Sequence, residues 1–158
     1  MCGILGIISR DKKICENYSK KSLLNSIAHR GPDSQDSVKG KNFYFGHSRL
    51  SIIGLKEGGA KQPIYKKNKI LVFNGEIYNY KDLSNELNEN GYYDSGKSDT
   101  ETLFNFIFHY GLKKTISKID GMYAFGYFDL DKEELSLVRD RIGEKPLYYS
   151  TGSNYFTF

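Results

Sequence analysis

Residues 80–119 read as helices, and the segments on either side read mainly as strands. That split constrains the fold more than any other feature of the chain. Helices and strands held in separate blocks favour α+β with mostly antiparallel sheets over an alternating βαβ chain. Residues 2–8 have the pattern of a buried strand. Residues 19–29 are helix-like, with Leu23, Leu24 and Ile27 on one side, and Gly31-Pro32 stops them. Lys39-Gly40-Lys41 reads as a hairpin turn between strands at Val38 and 42–48. An apolar run over 50–53 leads to a loop over 54–62, and residues 70–73 form a strand. Helices are predicted over 80–90, 99–110 and 112–119, with Gly91 and Gly111 ending the first two. Leu103, Phe104, Ile107 and Phe108 form the core stripe of the second. Strands return over 122–129, 135–141, 146–149 and 155–158. The last has no polar tail, and an edge strand invites pairing. It reads as the cut end of a longer protein or as a strand completed by a partner.

A chain of 158 residues is one domain's length and can bury about 68–70% of its unfolded surface. Its formal charge of +4 is scattered among acids, so no basic stripe for nucleic acid stands out. Two cysteines, Cys2 and Cys15, make no disulfide framework, and no Cys/His cluster suggests zinc. The apolar opening over 4–8 is too short to span a bilayer and lacks signal-peptide flanks. A cytoplasmic location follows by default, where a working thiol stays reduced.

Cys2 follows directly after Met1. Once Met1 is trimmed, one residue carries both a thiol and a free α-amino group. A nucleophile and a nearby base are what covalent acyl chemistry needs. An isolated thiol titrates near ~8.5 and an α-amino group near ~7.7–8.0, so the amine can accept the thiol proton close to neutral pH. With Met1 retained, that nitrogen is an amide and no base. The competing reading is a small apolar residue opening a strand.

Other positions are equally double-edged. Asn74-Gly75 between apolar runs is a hairpin signal. It could also aim the Asn74 amide and the Gly75 N–H at a developing oxyanion. Ser98-Asp99-Thr100-Glu101 has the capping-box pattern, yet Asp99 could pair with a substrate ammonium. Arg49 is either a solvated edge charge or a fork for a carboxylate. His29 and His47 are candidate bases, but a lone histidine is more often structural.

Taken together, these motifs carry a resemblance. Met1-Cys2-Gly3-Ile4, His29-Arg30-Gly31-Pro32-Asp33 and Gly46-His47-Ser48-Arg49-Leu50-Ser51-Ile52 resemble class II glutamine amidotransferases. Gln62-Pro63-Ile64, the block 73–80, Asp99-Thr100-Glu101, Asp120-Gly121-Met122 and the block 139–149 extend the match over nearly the whole chain. The chain looks most like the glutaminase half of glutamine-hydrolysing asparagine synthetases. The resemblance implies an N-terminal-nucleophile hydrolase fold, a four-layer αββα sandwich of two mostly antiparallel sheets. It implies that Cys2 is the nucleophile, its freed amine the base, and Asn74 with Gly75 the oxyanion hole. Arg49 should hold the glutamine α-carboxylate, Asp99 with Glu76 the α-ammonium, and backbone near Ile52 the pocket wall. The blocks 30–33 and 139–149 are expected to shape loops and a contact with a second domain. Residues 1–158 would be a glutaminase domain cut from a longer chain and would need no metal or cofactor. ATP and magnesium are expected only on a C-terminal synthetase domain or partner subunit that uses the ammonia. A homodimer is compatible with the resemblance. An acceptor other than aspartate, such as a carboxylate on a cell-surface sugar, and a catalytically silent binding module are the alternatives.

Overall fold

The computed structural model describes residues 2–10, 20–50 and 61–158. Cys15, Ile52 and nearly all of the predicted loop over 54–62 lie outside the described residues. In chain order the elements are β1 (Gly3–Ser9), α1 (Lys20–Ser26), a 3-10 turn (Ala28–Arg30), β2 (Ser34–Lys39), β3 (Phe43–Arg49), β4 (Ile64–Lys66) and β5 (Lys69–Ile77). Then come α2 (Tyr80–Glu89), α3 (Asp99–Tyr110), α4 (Leu112–Lys118), β6 (Gly121–Asp129), β7 (Glu134–Arg139), β8 (Ser150–Thr151) and β9 (Tyr155–Thr157). The strands form a five-stranded sheet, β2-β3-β1-β9-β8, and a four-stranded sheet, β4-β5-β6-β7. Every pairing is antiparallel.

Side-chain alternation along each strand sorts residues between the two faces of a sheet. Phe43, Phe45, Ile70, Val72 and Phe128 meet between the sheets, with Ile4, Ile8 and Phe158 packed against them. On the far side of the four-stranded sheet, Leu71, Phe73, Phe125 and Tyr127 pack under Leu83, Leu87, Leu103, Phe104, Phe106 and Ile107 of α2 and α3. On the far side of the other sheet, Leu5, Ile7 and Tyr44 meet Leu23 and Ile27. The result is the expected αββα layering, with two sheets face to face and helices outside. Phe158 locks the middle: a Cβ on Gly6 of β1 or Gly126 of β6 would run into its ring.

Three local expectations are corrected. Asn74-Gly75 is no hairpin turn; it lies inside β5, with Asn74 opposite Ala124 and Gly75 opposite Tyr123. Residues 146–149 are irregular rather than a strand, and β8 starts at Ser150. The Asp140 carboxylate gathers the N–H groups of Glu144 (2.8 Å) and Lys145 (2.9 Å) just before that stretch, and this favours a loop over a ladder. Finally, β9 is not an edge: it pairs with β1 on one side and β8 on the other.

Candidate active site

The alternation that builds the central core also aims the polar ends of its strands. Phe43 and Phe45 face inward on β3, so His47 and Arg49 continue that row. Ile70 and Val72 face inward on β5, so Asn74 and Glu76 follow them. Ile4 and Ile8 set the same parity on β1, and Cys2 extends it by one step. Three strands from two sheets thus bring Cys2, His47, Arg49, Asn74 and Glu76 to one end of the inter-sheet layer. Arg49 is half-buried on a strand flanked by β1 and β2, not a charge on a sheet edge.

Cys2 carries a free, half-buried thiol, which donates to the Leu50 carbonyl at 3.7 Å. The strand end that bears Arg49 is held from below by the 30–33 block. A Cβ on Gly31 would overlap the backbone of Ser48 and Arg49, so only glycine lets the two segments close. Asp33 N–H donates to the Arg49 carbonyl at 3.1 Å. Gln35 Nε2 donates to Ser48 Oγ at 2.8 Å.

Asn74 is buried, and Gly75 has φ +154°. A Cβ there would overlap the Met122 carbonyl oxygen across the ladder. The strand therefore needs glycine twice over, for conformation and for space. The peptide leading into Asn74 is tethered on the side where short β4 has ended. The β4–β5 ladder ends at the Ile64–Leu71 pair. In its place, the Gln62 side-chain Oε1 accepts the Phe73 N–H at 2.7 Å.

Asp99 opens α3, with its carboxylate against the end of β5. Oδ2 accepts the Ile77 N–H at 3.2 Å, and Oδ1 accepts the Thr100 N–H at 2.7 Å. Ser98 makes no side-chain cap, so the predicted capping box is not formed; Asp99 satisfies the first turn itself. Asp94 pins the preceding loop to α3 by accepting from Thr102 Oγ1 at 2.7 Å and Asn105 Nδ2 at 2.6 Å. Burial pushes the Asp99 carboxyl above its ordinary range, the Ile77 and Thr100 donors oppose this, and the charge of Glu76 adds to the rise. No ion pair joins Asp99 to a cation among the described residues. An anionic corner at Asp99 and Glu76 and a cationic one at Arg49 are what a zwitterionic amino acid requires.

That corner sets a pH prediction. An ammonium bound at this corner would favour the charged carboxylate, so its binding would expel the Asp99 proton. The KM for an amino acid whose ammonium lies at this corner is expected to rise as pH falls through the Asp99 titration, which lies above the usual carboxylate value of 3.8. Steady-state KM against pH measures this, and Asp99→Asn should raise KM and flatten the dependence.

One group was not singled out by sequence pattern. Asp140, in the 139–149 block, is buried and also accepts the Tyr123 N–H at 3.2 Å. Burial would raise its carboxyl, but the N–H groups of Lys145, Glu144, Tyr123 and Gly143 outweigh this and hold it below the usual range. Tyr123 sits opposite Gly75, so this loop braces β6 where it faces Gly75. A lone acid before Arg-Ile-Gly gives little warning of such a role. His47, a candidate base in the sequence, is 3% exposed. Burial, then the charge of Arg49, lowers its pKa to about 4, with a Phe73 backbone hydrogen bond opposing. It is therefore neutral near pH 7 and poorly suited to act as a base. His29 lies on the exposed 3-10 turn, outside the polar cluster.

The glutamine amidotransferase domain profile matches residues 1–158. Among curated proteins, the chain is 37% identical over 155 residues to asparagine synthetase (glutamine-hydrolyzing) 1 of Bacillus subtilis (strain 168), covering 96% of this chain and 24% of that protein. It is 32% identical over 151 residues to asparagine synthetase B (glutamine-hydrolyzing) of Escherichia coli (strain K12), covering 94% and 26%. A third relative, 34% identical over 170 residues, is amidase chry2 of Gibberella zeae, covering 98% and 25%. The chain thus spans about a quarter of the length of these relatives. Among solved structures, the glutamine phosphoribosylpyrophosphate amidotransferase of B. subtilis has a similar fold. Its TM-score is 0.72 at 22% identity, over 99% of this chain and 41% of that one.

Proposed function

The chain belongs to the glutamine amidotransferase domain family, and on that premise we propose that it hydrolyses glutamine to glutamate and ammonia through a thioester on Cys2. The observation that carries the reading is the meeting of Cys2, Arg49 and Asn74, from three strands, at one end of the inter-sheet layer.

Glutamine offers an anion, a cation and a neutral amide on a short chain. Arg49 grips the α-carboxylate with its two-pronged guanidinium. Asp99, with Glu76, takes the α-ammonium. Binding energy at these two ends holds the side-chain amide over the thiol. The freed α-amino group of Cys2 accepts the thiol proton, and sulfur attacks the amide carbon. The carbonyl oxygen becomes an oxyanion, held by the Asn74 amide and the Gly75 N–H. The protonated amine then gives its proton to the leaving nitrogen, and the C–N bond breaks to release ammonia. Water, deprotonated by the same amine, attacks the γ-glutamyl thioester. Glutamate leaves and the thiol is restored. Backbone near Ile52, outside the described residues, is assigned to the pocket wall.

The ammonia is passed to an ATP-dependent domain of the asparagine-synthetase type, and ATP and magnesium are assigned to that domain or partner. The glutaminase steps use neither. A different carboxylate acceptor, such as one on a cell-surface sugar, is the alternative reading. A silent binding module is disfavoured because every described residue with a chemical role is present. No helix among the described residues is long and apolar enough to cross a membrane.

The protein freed of Met1 is expected to release ammonia from glutamine, and Cys2→Ala to release none while still binding glutamine. Binding without release in both proteins would select the silent module. An ammonia assay with calorimetric titration distinguishes these outcomes.

A further inference from the structure

The mechanism needs the Gly75 N–H as a donor, and β5 has an open edge on which to present it. In an antiparallel strand both main-chain groups of one residue point to the same side, and successive residues alternate. The Phe73 N–H leaves β5 on the side away from β6, to Gln62 Oε1 at 2.7 Å. The Ile77 N–H has the same parity and goes to Asp99 Oδ2 at 3.2 Å. Gly75 lies midway between them, so its N–H faces that edge too. Strand β4 does not extend this far. Ile64 pairs with Leu71 and Lys66 with Lys69, and continuing that register sets Gln62 opposite Phe73. There the oxygen that takes the Phe73 N–H belongs to the Gln62 side chain, not to its main chain. A half-buried amide thus supplies the last rung before the oxyanion position.

We infer that Gln62 is a positioning residue: its Oε1 stands in for a strand carbonyl at the edge of β5 and holds Asn74 and Gly75 where both donors meet the oxyanion. This deepens the glutaminase reading and rests on it. Gln62 acts through Phe73 and needs no contact with glutamine. Without its bond, the rungs left on that edge among the described residues are at Leu71 and Ile77, and Asn74 and Gly75 lie in the span between them. Arg49 is on β3 and Asp99 on α3, so both grips on glutamine survive. The amide, however, no longer sits squarely under its oxyanion donors. Misplacement of a reacting group by about 1 Å can cost about 100-fold in rate.

The test compares Gln62→Met, Gln62→Glu and Gln62→Asn in the Met1-free protein. Methionine keeps the side chain's length and removes the acceptor. Glutamate keeps an acceptor oxygen at the same reach, and asparagine draws it back by one methylene. Gln62→Met is expected to lower kcat per titrated Cys2 by about 10- to 100-fold, with KM changed less than about threefold. Gln62→Glu should recover most of that loss, and Gln62→Asn should not. A merely structural glutamine would lower melting temperature and active fraction but leave kcat per titrated Cys2 unchanged, and that pattern would overturn the inference. Should Gln62→Met not fold, the Glu and Asn variants decide: equal kcat in the two refutes it. A wild-type protein that releases no ammonia would overturn the glutaminase reading and this role with it, whereas an active wild type beside an unaltered Gln62→Met overturns the inference alone. Amide hydrogen exchange followed by NMR reads the tie without any activity. Gln62→Met should speed exchange at Phe73 at least about 10-fold relative to Leu71. An unchanged ratio contradicts the tie whether or not glutamine is hydrolysed.

Discussion

Asn74→Ala is expected to lower kcat for glutamine by about 100- to 1,000-fold while KM changes little. Removing one oxyanion donor typically costs about 2.7–4 kcal/mol in the transition state. The ground-state amide gains little from that donor, so binding is spared. Arg49→Ala supplies the contrast, because it removes a grip present before and during reaction; its effect should fall chiefly on KM. The two variants, assayed side by side under steady-state conditions, should separate cleanly. A large rise in KM with intact kcat for Asn74→Ala would remove it from the oxyanion role. Asn74 is buried at a paired position inside β5, so its side chain is held in place rather than swinging on a turn.

Gly75→Ala is expected to damage both fold and rate. A non-glycine residue at φ +154° carries strain of about 1–3 kcal/mol. The added methyl would also overlap the Met122 carbonyl. Relief requires β5 and β6 to part where Gly75 faces Tyr123. That movement carries the Gly75 N–H away from the oxyanion. Chemical denaturation should show a loss of about 3 kcal/mol or more, and the surviving folded fraction should turn over at least about 100-fold more slowly. Wild-type stability and turnover in this variant would mean that the close approach of β5 and β6 has no part in the site.

How far the sequence announced all this depends on whether the deciding contact is local. Helix α3 was legible to the residue, because Leu103, Phe104 and Ile107 recur at helical spacing and Gly111 ends it. The hairpin at Gly40 was legible for the same reason, as Lys39 pairs with Tyr44 across it. Asn74-Gly75 was not, since its local turn preference is overruled by a nine-residue ladder from Lys69–Asp129 to Ile77–Gly121. No local pattern reveals a partner about fifty residues away. Residues 146–149 failed for a related reason: the Asp140 carboxylate competes for the backbone N–H groups just ahead of them, and Tyr148 and Tyr149 stay exposed. In the site, the position after Met1 made Cys2 a candidate by its chemistry, beside the reading of a small apolar residue opening a strand. Arg49, Asn74 and Asp99 needed the family resemblance, because each has an ordinary structural reading. The inward alternation of β3 and β5 agrees with their use. Gly31, Gln62 and Asp140 act through backbone contacts between segments distant in sequence, which neither composition nor spacing displays.

The central claim is a covalent one, and trapping the intermediate tests it most directly. The Met1-free protein, mixed with glutamine and quenched in acid within its first turnovers, is to be digested and weighed by mass spectrometry. The account predicts the mass of one added γ-glutamyl group on the peptide that begins at Cys2, and no adduct in Cys2→Ala. An adduct on a different residue, or undiminished ammonia release by Cys2→Ala, would contradict it.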